Sequence, residues 1–210
     1  MFAMDFSKTI QEIIILAPPF LFALTIHEFA HGYVAFRFGD PTAKELGRLT
    51  LNPLKHLDPI GVLAFLIMKI GWAKPVPVNP NYFKNPRREM IWVSLAGVSA
   101  NLLLAVAGGM AVRLLIPFSD IIPSAIFWPL IQMTAASVWI NIMLAIFNLI
   151  PIPPLDGSRV IANLLPRSAA AAYQKIEPFG FIILLALFYT GVIPNLMRPL
   201  ISFAQGLLIG

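Results

Sequence analysis

The sequence predicts an all-α polytopic membrane protein with about four transmembrane helices, a re-entrant segment and short membrane-associated β-strands. Two observations carry this. The chain has 210 residues, 58% of them hydrophobic and 12% charged, with a mean hydropathy of +0.80; soluble domains carry about 25% charged residues. The apolar residues also gather into long stretches, separated by segments rich in Pro, Gly, Asn, Lys and Arg. This length suits a single membrane-embedded domain over residues 1–210 and leaves no room for a large soluble one.

The first stretch, Ile13–Phe38, is long enough to cross a hydrocarbon core of about 30 Å. Pro18-Pro19 should kink its helix or mark the true start. The residues before it lack a basic leader and a small-x-small cleavage site, so the span is expected to be retained. Gly39–Arg88 is mixed in texture. Gly47–Leu51 and Lys74–Val78 are expected as short strands. Between them, Ile60–Ile70 is apolar but too short for an ordinary span, which suggests a re-entrant segment beside a water-filled cavity. Met90–Pro117 and Ile121–Ile150 are the next spans, the latter ending in Asn148 and a proline cluster. Phe179–Leu196 is expected as the last span, and Pro199–Gly210 as an interfacial tail.

Positive charge orients this arrangement. Twelve basic residues (Arg37, Lys44, Arg48, Lys55, Lys69, Lys74, Lys84, Arg87, Arg88, Arg159, Arg167 and Lys175) fall on one side, against Lys8, Arg113 and Arg198 on the other. The positive-inside rule then places Gly39–Arg88 in the cytoplasm and the N-terminus outside. The net charge of +5 sits beside apolar spans, which fits anionic lipid headgroups and not nucleic acid.

The chemistry centres on His27-Glu28-Phe29-Ala30-His31, inside the first span. Histidines four apart share a helix face and can reach one zinc ion, with Glu28 placed as general base. Such a run arises by chance about once in a thousand chains of this composition. The bland alternative is two histidines packed between helices and a glutamate paired with a cation. Catalytic zinc takes three protein ligands and keeps one open position. The chain has no cysteine, so the third ligand must be His or carboxylate. Asp156 is the best candidate, just after Pro151-Ile-Pro153-Pro154-Leu. It could equally be the N-cap of a helix starting at Gly157.

Together, HEFAH, Gly97-Val-Ser-Ala-Asn101 and Asn148…Pro151…Pro154-Leu-Asp156-Gly157 resemble the site-2 protease family of intramembrane zinc metalloproteases. Gly71-Trp-Ala-Lys-Pro-Val-Pro-Val-Asn-Pro80 and Asn52-Pro-Leu-Lys-His56-Leu-Asp-Pro59 resemble its small prokaryotic branch, and the likeness covers roughly residues 20–165. The resemblance implies that His27, His31 and Asp156 bind Zn2+ and that Glu28 activates water. It implies that Asn148 orients substrate or stabilises the oxyanion, that Gly97 and Asn101 serve packing and substrate handling, and that His56 is structural. It implies transmembrane or signal-peptide-like protein substrates, and an active site on the cytoplasmic side of a prokaryotic cell membrane. The PDZ-like or nucleotide-binding domains of larger relatives have no counterpart here. Two other readings are a membrane zinc transporter, or zinc-binding protein, and an inactive scaffold. Against the first, polar groups gather toward one side; against the second, every expected catalytic residue is present.

Overall fold

A computed structural model describes residues 6–68 and 72–210. Nine α-helices form among the described residues: α1 (Phe6–Arg37), α2 (Thr42–Glu45), α3 (Pro59–Met68), α4 (Pro86–Leu115), α5 (Ser124–Asn148), α6 (Asp156–Leu164), α7 (Arg167–Gln174), α8 (Gly180–Tyr189) and α9 (Val192–Leu208). Four helical stretches are long and apolar enough to cross a membrane: Ile10–Arg37, Pro86–Phe118, Ser124–Asn148 and Arg167–Tyr189.

Helices α1, α4 and α5 pack against one another and form the body of the bundle. α1 begins well before Pro18-Pro19 and runs through both prolines, so they neither start nor end it. α4 opens with Pro86 in its first turn, where a missing N–H costs nothing, and carries Glu89 there as well. α5 stops at Asn148, just before the cluster of Pro151, Pro153 and Pro154 that cannot continue a helix.

The expected last span is corrected. Phe179–Leu196 is broken at Gly191, whose φ of 80° ends the run between α8 and α9. Composition admits Arg167–Tyr189 as a crossing, but its contacts stay at one end of the bundle. The Tyr173 hydroxyl donates to Pro151 O over 2.8 Å, Gly180 abuts the Pro153 carbonyl, and Leu184 shares a buried cluster with Ile150 and Leu155. α9 instead packs antiparallel against the second half of α5. Ile193 and Met197 pack near Ile150, while Leu208 packs with Ala105 and Val138 and Arg113 donates to Leu207 O. The tail therefore belongs to α9, packed against α5 and α4, and is not a separate piece. Arg198 moves with it, next to Met197 at the end that carries most of the basic residues.

The strands are corrected as well: among the described residues no sheet forms, and Leu57 and Ala73 make a single antiparallel bridge. Pro75 and Pro77 have no N–H to give a ladder. The segment around them is held from the side: Lys74 N–H donates to His56 O, and the Arg48 guanidinium donates to Lys74 O. Residues 69–70 of the expected re-entrant segment lie outside the described residues, and α3 accounts for the remainder. The connection does run deep along α1. Leu49 lies against Gly32, and Leu51 and Pro53 line a pocket with Pro18, Leu21, Phe22 and Thr25, about 15 Å further along the helix.

Candidate active site

Asp156 reaches the bundle interior because α6 begins hard against the end of α5. A β-carbon on Gly157 would collide with the Leu149 carbonyl, so only glycine permits this approach. Asp156 opens α6, yet its side chain makes no cap bond; Leu155 holds the N-cap position. The N-cap alternative thus fails on geometry. The carboxylate turns inward, and its Oδ2 stands 3.2 Å from Nε2 of His27 and 3.2 Å from Nε2 of His31. The two Nε2 atoms are 3.0 Å apart.

The proton positions show what belongs between them. His31 Nδ1 lies 2.7 Å from the Val93 carbonyl, which can only accept, so Nδ1 carries the hydrogen. His27 Nδ1 donates to Asn101 Oδ1 at 2.6 Å. Asn101 is fixed in that orientation because its Nδ2 donates to Asn141 Oδ1 at 2.8 Å and to Ala23 O at 3.3 Å. With each Nδ1 already engaged, both rings are set to offer their Nε2 lone pairs to a cation, beside a carboxylate oxygen that has no hydrogen-bond partner. Three buried acceptors facing one another repel unless a cation lies between them. Tetrahedral ligands at about 2.0–2.1 Å from zinc stand about 3.3 Å apart, close to the spacing here. His27, His31 and Asp156 are the set of metal-capable side chains that converge among the described residues.

Gly97 forms the floor. A β-carbon there would lie 2.6 Å from His31 Nε2 and 2.7 Å from His27 Nε2, in the space the ion needs. Asn101 is fully buried behind His27 and does not face the open side. Glu28 and Asn148 line the same pocket as the three ligands, with Pro75, Val76, Pro154 and Arg159. Glu28 Oε2 accepts the Val76 N–H at 2.8 Å, and Asn148 Nδ2 donates back to Leu144 O at 3.0 Å. His56 is fully buried and donates from Nε2 to Thr50 O at 2.8 Å within the connecting segment, away from this cluster.

Sequence reasoning missed three participants. Asn141 extends the chain from His27 through Asn101 and donates onward to Ser137 O at 2.8 Å. A polar amide inside an apolar span was a readable signal for it. The Val93 carbonyl and Val76 N–H are backbone groups that leave no trace in residue identity.

Two imidazoles one turn apart, a converging carboxylate and an adjacent glutamate, set among apolar helices, define a membrane-embedded zinc-dependent hydrolase. Comparison with known proteins gives the family. The profile of "Peptidase family M50" matches residues 114–190, which include Asn148 and Asp156. YwhC of Bacillus subtilis, named as a zinc metalloprotease, is 43% identical over 180 residues, covering 86% of this chain and 82% of its own. Rip2 of Mycolicibacterium smegmatis, named likewise, is 33% identical over 183 residues, covering 84% of this chain and 67% of its own. No solved structure matches the chain significantly. The chain belongs to peptidase family M50, the site-2 protease family. It is a zinc metalloendopeptidase and an integral membrane protein.

Proposed function

We propose that this enzyme cleaves peptide bonds of membrane-spanning or signal-peptide-like segments at membrane depth. We place it in a prokaryotic cell membrane, with its active site toward the cytoplasm and its N-terminus outside. One observation carries the reading. The ligands from α1 lie six to ten residues inside an apolar span ending at Arg37, about 9–15 Å below its basic end, yet they open onto a pocket with charged lining. A protease acting only on soluble chains has no need to bury its centre there.

The residues divide the work as follows. Zinc, when bound by His27, His31 and Asp156, supplies Lewis acidity and makes water acidic enough to attack near neutral pH. Glu28 takes the proton from the attacking water and returns it to the leaving nitrogen. Only its Oε2 is engaged, by Val76 N–H, so Oε1 has no hydrogen-bond partner among the described residues. Asn148 still has one amide hydrogen to offer the oxygen that gains charge. A helical substrate hides its carbonyls in hydrogen bonds, so it must unwind where it meets Glu28.

The test uses purified full-length protein in liposomes with single-span peptides. Glu28→Gln should lower cleavage about 10²–10⁴-fold while zinc content stays at the wild-type level. Removing zinc with a chelator should abolish cleavage, and adding zinc back should restore it. Equal cleavage by Glu28→Gln sinks the base assignment, and cleavage of soluble peptides alone sinks the membrane substrate.

A further inference from the structure

Arg159 follows Asp156 by three residues in α6, so the two share a face of that helix. Its side chain lines the pocket that holds Glu28 and the three ligands, and it is exposed. Arg48, Arg87 and Arg113 are tied to the carbonyls of Lys74, Leu165 and Leu207, whereas Arg37, Arg88, Arg167 and Arg198 are, like Arg159, without a side-chain bond among the described residues, and none of those four lines the pocket. Arg159 makes no such bond and pairs with no carboxylate among the described residues, although Asp156 and Glu28 line the same cavity.

Charge balance says what this cation awaits. Imidazoles that ligate a metal do so uncharged, so the carboxylates of Asp156 and Glu28 would together neutralise a bound dication. Arg159 then leaves the lining with one positive charge over. Hydrolysis of a neutral peptide bond only moves protons among Glu28, water and the substrate, so the excess persists through the reaction. A negatively charged group on the substrate would cancel it.

We propose that Arg159 is a specificity-determining residue that selects peptides carrying a carboxylate beside the scissile bond. The carboxylate is an Asp or Glu side chain or a free C-terminus. This rests on the peptidase reading above. It adds a preference that neither the metal nor Glu28 can supply.

The experiment uses the full chain in detergent with matched single-span peptides. One pair differs by Glu against Gln next to the cleavage site, and a second by a free against an amidated C-terminus near it. Wild type should favour the acidic member of at least one pair by about fivefold in kcat/KM, as expected for a solvent-accessible ion pair. The pair that responds identifies the source of the carboxylate. Arg159→Gln should erase the preference, and Arg159→Glu should reverse it toward a Lys-bearing peptide. Binding of the same fluorescently labelled peptides to the Glu28→Gln protein, with and without Arg159→Gln, reads the ratio without turnover. A ratio unchanged by both Arg159 substitutions overturns the proposal, as does an equal loss on acidic and neutral peptides. If wild type cleaves no spanning peptide, the proposed substrate class fails, while the binding ratio still decides the role of Arg159.

Discussion

The wall behind the metal ligands and the mouth in front of them are built on opposite rules. Behind lie Val93, Ser94, Gly97, Asn101 and Asn141, all buried on α4 and α5. There, each nitrogen that orients an imidazole has a named acceptor, and one chain of amides runs from His27 to Ser137. In front lie Pro75, Val76, Asn148, Pro154 and Arg159, contributed by connecting segments, the end of α5 and the first turns of α6. Pro154 and Arg159 are exposed there, and Asn148 is only half-buried. The rear fixes where the ion sits; the mouth leaves room for a chain to enter. Substitutions behind should therefore read out in zinc, and substitutions in front in turnover.

The largest effect should come from Gly97→Ala. The added methyl occupies the space beside both Nε2 atoms, and the histidines cannot retreat without giving up Val93 O and Asn101 Oδ1. The expected outcome is a helical, membrane-inserted protein with zinc and proteolysis both lost, checked by circular dichroism and elemental analysis. Full zinc occupancy would show that the rear wall yields far more than its packing implies. Asn101→Leu comes next. It strands the His27 Nδ1 hydrogen and the Asn141 Oδ1 acceptor in a dry interior. Losing such a ligand-orienting partner costs about 10–100-fold in metal affinity, measurable by competition with a chelator.

How much of this was legible depended on what each feature is made of. HEFAH could be read because helical spacing alone puts two imidazoles on one face. Asp156 was open to two readings, since a proline-terminated helix followed by aspartate serves equally well as a cap. What decides it is Gly157 against the Leu149 carbonyl, a contact between backbones that spacing does not encode. Gly97 and Asn101 were readable through family likeness, but not their task, which exists only once α4 lies against α1. The body of three helices followed from apolar length. The end of the chain did not: Phe179–Leu196 reads as one apolar run, and hydropathy cannot see that Gly191 turns the chain or that Gly180 is pinned to Pro153. The strand at Lys74–Val78 failed because alternating prolines look extended in sequence while withholding the donors a ladder needs.

A smaller effect is expected one amide further back. Asn141→Ala leaves Asn101 its bond to Ala23 O and leaves His27 its acceptor, but removes what holds the Asn101 amide in plane. Zinc affinity should fall less than for Asn101→Leu, and stability by about 1 kcal/mol, the net worth of a buried hydrogen bond. A loss of zinc as large as that of Asn101→Leu would mean the amide chain acts as one unit.

The smallest effect on the metal, and the sharpest on the contrast, should come from the mouth. Val76→Pro deletes the hydrogen bond that, among the described residues, holds Glu28 from outside its own helix, in a segment where Pro75 and Pro77 already flank the site. Val76→Ala trims the same side chain but keeps the N–H, so the difference between the two isolates that bond. Nothing behind the ligands changes in either variant, and zinc content should match wild type in both. With the carboxylate free to swing, turnover by Val76→Pro should fall about fivefold below Val76→Ala, the kinetic equivalent of about 1 kcal/mol. Equal turnover in the pair would show that α1 alone positions Glu28. Loss of zinc confined to Val76→Pro would show that the connecting segment belongs to the rear wall's work, and the division between the two walls would have to be redrawn.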